Sequence, residues 1–130
     1  MEKNALILVV DDNAGCRKLL VWVLEQYGFQ TISASGGFEA VELAIEFQPE
    51  LVLMDLNMPG MNGYEATRAI HADRHTRGIP VVAVSADCGD SKRRAFKAGF
   101  IAVLEKPWKP EALEILTNVL IGHYESTRAA

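Results

Sequence analysis

The chain has 130 residues and a net charge of −4, and 49% of its residues are hydrophobic against 23% charged. This length and composition are typical of one globular domain, and the acidic balance argues against direct binding of nucleic acid, which depends on basic surfaces. The longest apolar run, residues 5–10, is too short for a membrane span of roughly 20 residues, and two cysteines without metal-like spacing favour a reducing cytoplasm over a disulfide framework.

Short apolar or β-branched runs alternate with longer segments of helical periodicity along the whole chain. In chain order, each predicted strand is followed by a predicted helix. The strands are predicted at residues 5–10, 30–34, 50–55, 79–85 and 101–104. The helices are predicted at residues 14–27, 37–47, 62–72, 91–98 and 110–121.

Capping residues set the expected ends of these helices. Asn13 is a predicted N-cap and Gly28 a predicted stop for the first helix. Asp90 is a predicted cap for the fourth helix, and Pro110 is the expected first residue of the fifth. Gly122 is expected to end the fifth helix, which predicts one folded domain over residues 5–121 and a tail over residues 122–130.

The helical periodicity also predicts which residues face the core. On the first helix the apolar face is expected to include Leu19, whereas Val21 and Trp22 lie off that face. We predict that Val21 and Trp22 form a docking patch for a partner's helix, with a scattered surface hydrophobe as the alternative. Val119 is expected on the apolar face of the fifth helix.

Five repeats of strand and helix predict an α/β fold with a parallel sheet and helices on both faces. The flavodoxin-like version of this fold has five strands in the order 2-1-3-4-5, which places the first and third strands side by side. Ligands of such sheets bind outside the carboxyl ends of the strands, at the point where the strand order reverses. The residues that follow the strands are therefore the candidates for a functional site.

Acidic residues stand at two of these strand ends. Asp11 and Asp12 follow the first strand, and Asp55 ends the third. Two carboxylates about 4 Å apart repel by about 4 kcal/mol at an effective dielectric of about 20, so the cluster must hold a proton or a cation. Oxygen ligands without nearby His or Cys favour a hard ion, which predicts Mg2+.

A hydroxyl and an ammonium group stand at the remaining strand ends. Ser85 ends the fourth strand and Lys106 follows the fifth. Together with a divalent cation, these groups suit a phosphoryl group, whose oxygens need neutralising from several sides. Asp55 is the best candidate nucleophile, because Asp11 and Asp12 are adjacent and better placed as metal ligands.

Four segments, ILVVDDN, LVLMDLNMPGMNGYEATRAI, PVVAVSA and LEKPW, make the chain resemble the receiver domain of two-component response regulators over residues 5–121. The resemblance implies that Asp11, Asp12, Asp55 and the backbone carbonyl of Asn57 bind Mg2+. It implies that Asp55 accepts the phosphoryl group and that Ser85 and Lys106 contact its oxygens. The Lys106–Pro107 bond is expected to be cis by the same resemblance.

The resemblance further implies a signalling switch in a two-component system or phosphorelay, rather than a classical enzyme, located in the cytoplasm. Its expected partners are a sensor histidine kinase or histidine phosphotransfer protein, and a downstream effector protein. The expected output face is formed by the fourth helix, fifth strand and fifth helix, where Lys92, Arg93, Arg94 and Lys97 form a basic run. Besides an effector, a second copy of the chain is a further candidate partner for that face.

Val103 occupies the position where the family commonly has an aromatic switch residue. Because valine is short and stiff at χ1, we predict that the signal passes from Ser85 into residues 86–89 and the fourth helix instead. Two other classes of protein stay open. A haloacid-dehalogenase-type phosphatase would need an aspartate where Asn57 stands, and a flavodoxin-like flavin-binding module would need a Ser/Thr-rich loop where Asp11 and Asp12 stand.

Overall fold

The computed structural model of the protein describes residues 5–86 and 90–129. Strands and helices alternate throughout this part of the chain. The strands are β1 (Leu6–Val10), β2 (Gln30–Ala34), β3 (Leu51–Asp55), β4 (Val81–Ser85) and β5 (Ala102–Glu105). The helices are α1 (Ala14–Gln26), α2 (Gly37–Phe47), α3 (Gly63–Ala72), α4 (Asp90–Ala98) and α5 (Pro110–Ala129).

The strands form one parallel five-stranded sheet in the order β2-β1-β3-β4-β5. The predicted flavodoxin-like fold is confirmed, including the neighbouring positions of β1 and β3. In their register Val10 is opposite Met54, and Asp55 is opposite Val84. The carboxyl ends of β1, β3 and β4 therefore meet at one edge of the sheet, directly before Asp11 and at Asp55 and Ser85.

Two hydrophobic clusters cover the two faces of the sheet. On one face, α2, α3 and α4 pack through residues that include the small Ala44 and Ala95 and the aromatic Tyr64. On the other face, α1 and α5 pack through larger aliphatic residues such as Leu24 and Leu113. Because β3 is buried along its whole length, its apolar residues can alternate between the two clusters, and the strand reads as a continuous apolar run.

Local capping chemistry sets several helix ends. The Asn13 side chain accepts a hydrogen bond of 2.9 Å from the Cys16 N–H, which confirms Asn13 as the N-cap of α1. Gly28 follows α1 with φ of 92°, a left-handed conformation that glycine adopts without steric cost. At α3, Asn62 and Glu65 form a reciprocal capping box.

Two predicted helix ends were wrong or fall outside the described residues. Helix α5 does not end at Gly122 but continues to Ala129, because an isolated glycine lowers helix propensity without breaking the hydrogen-bond ladder. Helix α4 already begins at Asp90, so the predicted cap is the first residue of the helix, and residues 87–89 before it lie outside the described part. Within that part, no helix combines the length and the apolar character that crossing a membrane requires.

Two residues predicted to face the core are exposed instead. Leu19 of α1 is 54% exposed and Val119 of α5 is 62% exposed. Both lie at the flank of their helix, next to the narrow stripe that contacts the sheet. Trp22 is exposed, as predicted, whereas Val21 is half-buried and packs against the α1–α5 cluster. The exposed apolar surface of α1 is therefore formed by Leu19 and Trp22.

Candidate functional site

Three carboxylates meet at the carboxyl edge of the sheet. One oxygen from each of Asp11, Asp12 and Asp55 lies within 4.8 Å of the others. Asp11 and Asp55 are buried, and Asp12 is exposed at the mouth of the cluster. The predicted acidic cluster is therefore present, with two of its charges withdrawn from water and one open to it.

The backbone around Asp11 fixes its carboxylate. One oxygen, Oδ1, accepts a hydrogen bond of 2.9 Å from the Asn13 N–H. The Asp11 N–H donates to the Ala34 carbonyl across the sheet, and the Arg17 guanidinium donates to the Asp11 carbonyl. The other carboxylate oxygen, Oδ2, is buried without a hydrogen-bond donor among the described residues. Its nearest cation is the Lys106 ammonium, with Nζ at 3.6 Å.

The environment of Asp55 raises the pKa of its carboxyl in the metal-free protein. Burial raises the pKa of this carboxyl first, and the negative charge of Asp11 raises it further. The Asn57 N–H, which donates to Asp55 Oδ1 at 3.3 Å, and the Lys106 ammonium act in the opposite direction. The net result is a pKa of about 6 instead of 3.8. A cation placed among these carboxylates would favour the charged form of Asp55 and so oppose this shift.

Asn57 lies two residues beyond Asp55, in the loop that joins β3 to α3. Its side chain is exposed, and its N–H binds back to the Asp55 carboxylate. This turn holds the Asn57 peptide beside the acidic cluster. The Asn57 carbonyl belongs to the next peptide group along the chain, and its role as a metal ligand stays a prediction.

Ser85 and Lys106 come together because β4 and β5 are neighbours. Ser85 is opposite Glu105 in the register, and the Lys106 N–H donates to the Ser85 carbonyl at 2.8 Å. Ser85 is buried, while Lys106 is half-buried and reaches Asp11. The predicted cis bond between Lys106 and Pro107 is present. Ser85 and Lys106 therefore both lie at the edge of the sheet that carries the three carboxylates.

Val103 is half-buried and packs against the cluster under α2, α3 and α4. Residues 87–89, which belong to the predicted signal path, lie outside the described residues. The path from Ser85 to the fourth helix thus stays a prediction.

Two features of the site were missed from the sequence. The first is the close approach of Gly63, whose added Cβ would lie 2.2 Å from the carbonyl oxygen of Asp55. The second is an apolar groove of about 540 Å³ that borders Lys106 between α1 and the β5–α5 loop. The sequence signal for the close approach of Gly63 was its position directly after the helix cap Asn62. The groove combines residues from distant parts of the chain, so the sequence carried no local signal for it.

The donor set at this edge of the sheet fits Mg2+. Every candidate ligand is an oxygen, which a hard cation prefers over nitrogen or sulfur. The buried Asp11 Oδ2 has no hydrogen-bond donor among the described residues, so a cation would satisfy an atom that the protein leaves unsatisfied. The exposed Asp12 leaves the site open to water, which Mg2+ retains in part when it binds.

The chain matches the model of the response regulator receiver domain over residues 7–118. It is 37% identical to the protein PilH of Pseudomonas aeruginosa over 119 residues, which cover 91% of this chain and 98% of PilH. It is 36% identical to the polar-differentiation response regulator DivK of Brucella ovis over 117 residues, which cover 88% of this chain and 94% of DivK.

Solved structures agree with these relatives. The receiver domain of a sensor histidine kinase from Pseudomonas aeruginosa, which has a magnesium ion coordinated in its active-site cleft, superposes with a TM-score of 0.87 and 30% identity. That match covers 92% of this chain and 98% of the other. These matches decide against the phosphatase and flavin-binding alternatives. The chain belongs to the receiver domain family of two-component response regulators.

Proposed function

We propose that Asp55 is the phosphoacceptor of this receiver domain and that it takes its phosphoryl group from a phosphohistidine. The observation that carries the proposal is the position of Asp55. It is a buried carboxylate at the end of β3, between the strands that supply Asp11 and Ser85. Asp11 and Asp12 lie together on the other side of the crevice, where they are suited to hold a cation.

The proposed chemistry is a direct transfer. A carboxylate oxygen of Asp55 forms a bond to phosphorus while the N–P bond of the phosphohistidine breaks, and the leaving imidazole takes up a proton. The product at Asp55 is an acyl phosphate. The Ser85 hydroxyl and the Lys106 ammonium donate hydrogen bonds to the phosphoryl oxygens. Mg2+, held by Asp11, Asp12, Asp55 and the Asn57 carbonyl, would neutralise the remaining negative charge.

Labelling with a small phosphodonor tests this proposal. Incubation with acetyl phosphate and Mg2+ should add about 80 Da, the mass of one phosphoryl group, and hydroxylamine should remove it because an acyl phosphate reacts with that nucleophile. EDTA should abolish the labelling, since the carboxylates repel the donor without a cation. Intact-mass spectrometry provides the measurement.

Asp55→Asn should gain no label under the same conditions, whereas Asp73→Asn, on a surface loop after α3, should label like the parent. An Asp55→Asn protein labelled at the parent rate would contradict the assignment of the phosphoacceptor. Labelling that persists at the parent rate in EDTA would contradict the metal assignment.

We further propose that the groove beside Lys106 receives a helix of the phosphodonor protein. The groove is lined mainly by Cys16, Leu19, Leu20, Val23, Pro107 and Trp108. Leu19 is more than half exposed and Trp22 lies one helical turn further along α1. This apolar surface is continuous with the crevice that holds Lys106, so a helix in the groove could present a histidine to Asp55.

Leu19→Asp should slow phosphotransfer from a phosphohistidine protein at least tenfold, because a carboxylate at the groove would oppose docking of an apolar helix. Labelling by acetyl phosphate should stay unchanged, because that donor needs no docking surface. The phosphodonor is the histidine kinase or phosphotransfer protein that reacts fastest in a panel. Val119→Asp serves as the control, since Val119 is equally exposed but lies on α5 away from the groove. Equal losses with both donors would contradict the docking role.

The proposed output face is formed by α4, β5 and α5. Among the described residues of this face, the exposed large apolar side chains include Phe96 of α4, Ile115 and Val119 of α5, and Ile101 directly before β5. The basic residues of α4 border them. We propose that a downstream effector protein binds this face in the cytoplasm, with a homodimer through the same face as the alternative occupant.

A further inference from the structure

Helix α2 carries an exposed apolar stripe beside a row of carboxylates. Phe38 is 68% exposed and Ile45 is 40% exposed, seven residues apart and therefore on one side of the helix. Glu42 and Glu46 flank this stripe and are also exposed. These four residues are the α2 surface. The site described above uses none of them.

Helix α4 carries a surface of the opposite charge. Phe96 is 48% exposed, and Lys92, Arg93 and Lys97 surround it on the outer side of the helix. These four residues are the α4 surface. The remaining basic residue, Arg94, lies over the ring of Tyr64 at 4.3 Å and is thereby held within the molecule.

The two surfaces are complementary in charge and in spacing. Helix α2 contains three glutamates and no basic residue, while α4 contains four basic residues and one acidic residue. Glu42 and Glu46 are four residues apart, and so are Arg93 and Lys97. Both ion pairs can therefore form at once between two helices laid side by side. Within the described part of the chain, none of these four residues takes part in an ion pair.

Both surfaces point away from the sheet in the same direction. Helices α2, α3 and α4 bury their inner sides in the same cluster, and α3 lies between the other two. A twofold rotation about an axis parallel to α3 would place α2 of each copy against α4 of the other. The two contacts would form together and close the assembly as a dimer.

We infer that a second copy of this chain is the partner of the α2 surface, in a twofold dimer that pairs α2 of one protomer with α4 of the other. Ile45 packs against Phe96 of the second protomer, while Glu42 and Glu46 pair with Arg93 and Lys97. Near the axis, α3 exposes Glu65 and Arg68, which have opposite charges and can pair between protomers. The surface is small, so the dissociation constant is expected on the order of 100 µM.

This dimer would cover part of the proposed output face, because both use α4. Effector binding and dimerisation would then exclude each other. That regulatory consequence rests on the proposed function, whereas the dimer itself does not. The dimer that pairs α2 with α4 differs from a dimer through α4, β5 and α5, because it uses α2 and leaves Ile115 of α5 exposed.

Sedimentation equilibrium of the full chain tests the dimer. The parent protein should associate to a dimer and no further, more weakly at high salt because ion pairs are screened. The variants Glu42→Lys/Glu46→Lys and Arg93→Glu/Lys97→Glu should each be monomeric at concentrations where the parent is dimeric. An equimolar mixture of the two should form a heterodimer, because each reversed surface then meets an opposite charge in both contacts.

Two controls separate this arrangement from others. Glu111→Lys reverses an exposed charge on α5, and Ile115→Ser removes an exposed apolar side chain of the alternative dimer. Both should associate like the parent, whereas Ile45→Ser should weaken association at least fivefold. Acetyl-phosphate labelling of all variants should match the parent, which shows that they are folded. A parent protein that stays monomeric up to about 1 mM, a mixture that fails to associate, or growth beyond a dimer would overturn the inference.

Discussion

Gly63→Ala should lower the free energy of unfolding by about 3 kcal/mol, at the upper end of the cost of overpacking a rigid site. The added Cβ would lie 2.2 Å from the carbonyl oxygen of Asp55 and 2.9 Å from Cα of Leu56. Both atoms belong to the backbone, which cannot rotate away as the end of a flexible side chain can. The start of α3 would have to move away from the end of β3, and the hydrogen bond from the Gly63 N–H to the Leu56 carbonyl would be strained.

The same substitution should slow labelling of Asp55 by acetyl phosphate at least tenfold, because the displaced backbone carries both Asp55 and the Asn57 turn. Urea unfolding and intact-mass labelling measure the two effects. Gly78→Ala is the matched control. An added Cβ at Gly78 meets open space, so this variant should stay within about 0.5 kcal/mol of the parent. A Gly63→Ala protein as stable and as reactive as the Gly78→Ala protein would contradict the proposed role of the close contact.

Asp55→Asn should raise the free energy of unfolding of the metal-free protein by about 2 to 3 kcal/mol at pH 8. Burial and the charge of Asp11 raise the pKa of Asp55 from 3.8 to about 6 in the folded protein, and each unit corresponds to about 1.4 kcal/mol. Ionised Asp55 therefore destabilises the folded state, and an uncharged amide of similar shape removes the penalty.

The sign of the pH dependence follows from proton binding. Between about pH 4 and about pH 6 the folded protein keeps a proton on Asp55 that the unfolded chain has lost, so the parent loses stability as the pH rises through this interval. Below the interval the carboxyl is protonated in both states, and parent and variant should differ little. Above it the full difference should be present.

Urea unfolding in EDTA at a series of pH values measures this effect. Asp73→Asn is the control with the opposite sign, because the His75 N–H lowers the pKa of Asp73, so this variant should gain no stability at pH 8. Added Mg2+ should stabilise the parent more than Asp55→Asn, since binding to the folded state alone shifts the equilibrium. Parallel pH curves for the parent and Asp55→Asn would contradict the raised pKa.

The sequence by itself determined the element order, the sheet topology and the residues at the carboxyl edge of the sheet. The inner strands β1, β3 and β4 are nearly all apolar because both of their faces are covered, and this local pattern is visible in the sequence alone. Once the strand order is set, the residues directly after each strand must meet at one edge. That rule is why Asp11, Asp55, Ser85 and Lys106 could be placed together before any distance was known.

The tertiary structure alone decided properties that depend on neighbours distant in sequence. Leu19 and Val119 fit the helical periodicity of a buried face, but exposure depends on how wide a stripe the sheet covers, and both lie beyond it. Gly122 has low helix propensity, yet helix α5 continues because propensity is a weak prior compared with an intact hydrogen-bond ladder.

The electrostatics and the close contacts of the site also depend on neighbours that are distant in sequence. The pKa of Asp55 depends on its burial and on its distance from Asp11. Asp55 ends β3 and Asp11 follows β1, and these two strands are paired in the sheet although they are distant in sequence. The contact of Gly63 with the Asp55 carbonyl depends on how closely α3 approaches the end of β3. Local pattern selects which residues reach the site, and the packing of distant segments decides their exposure, charge state and separation.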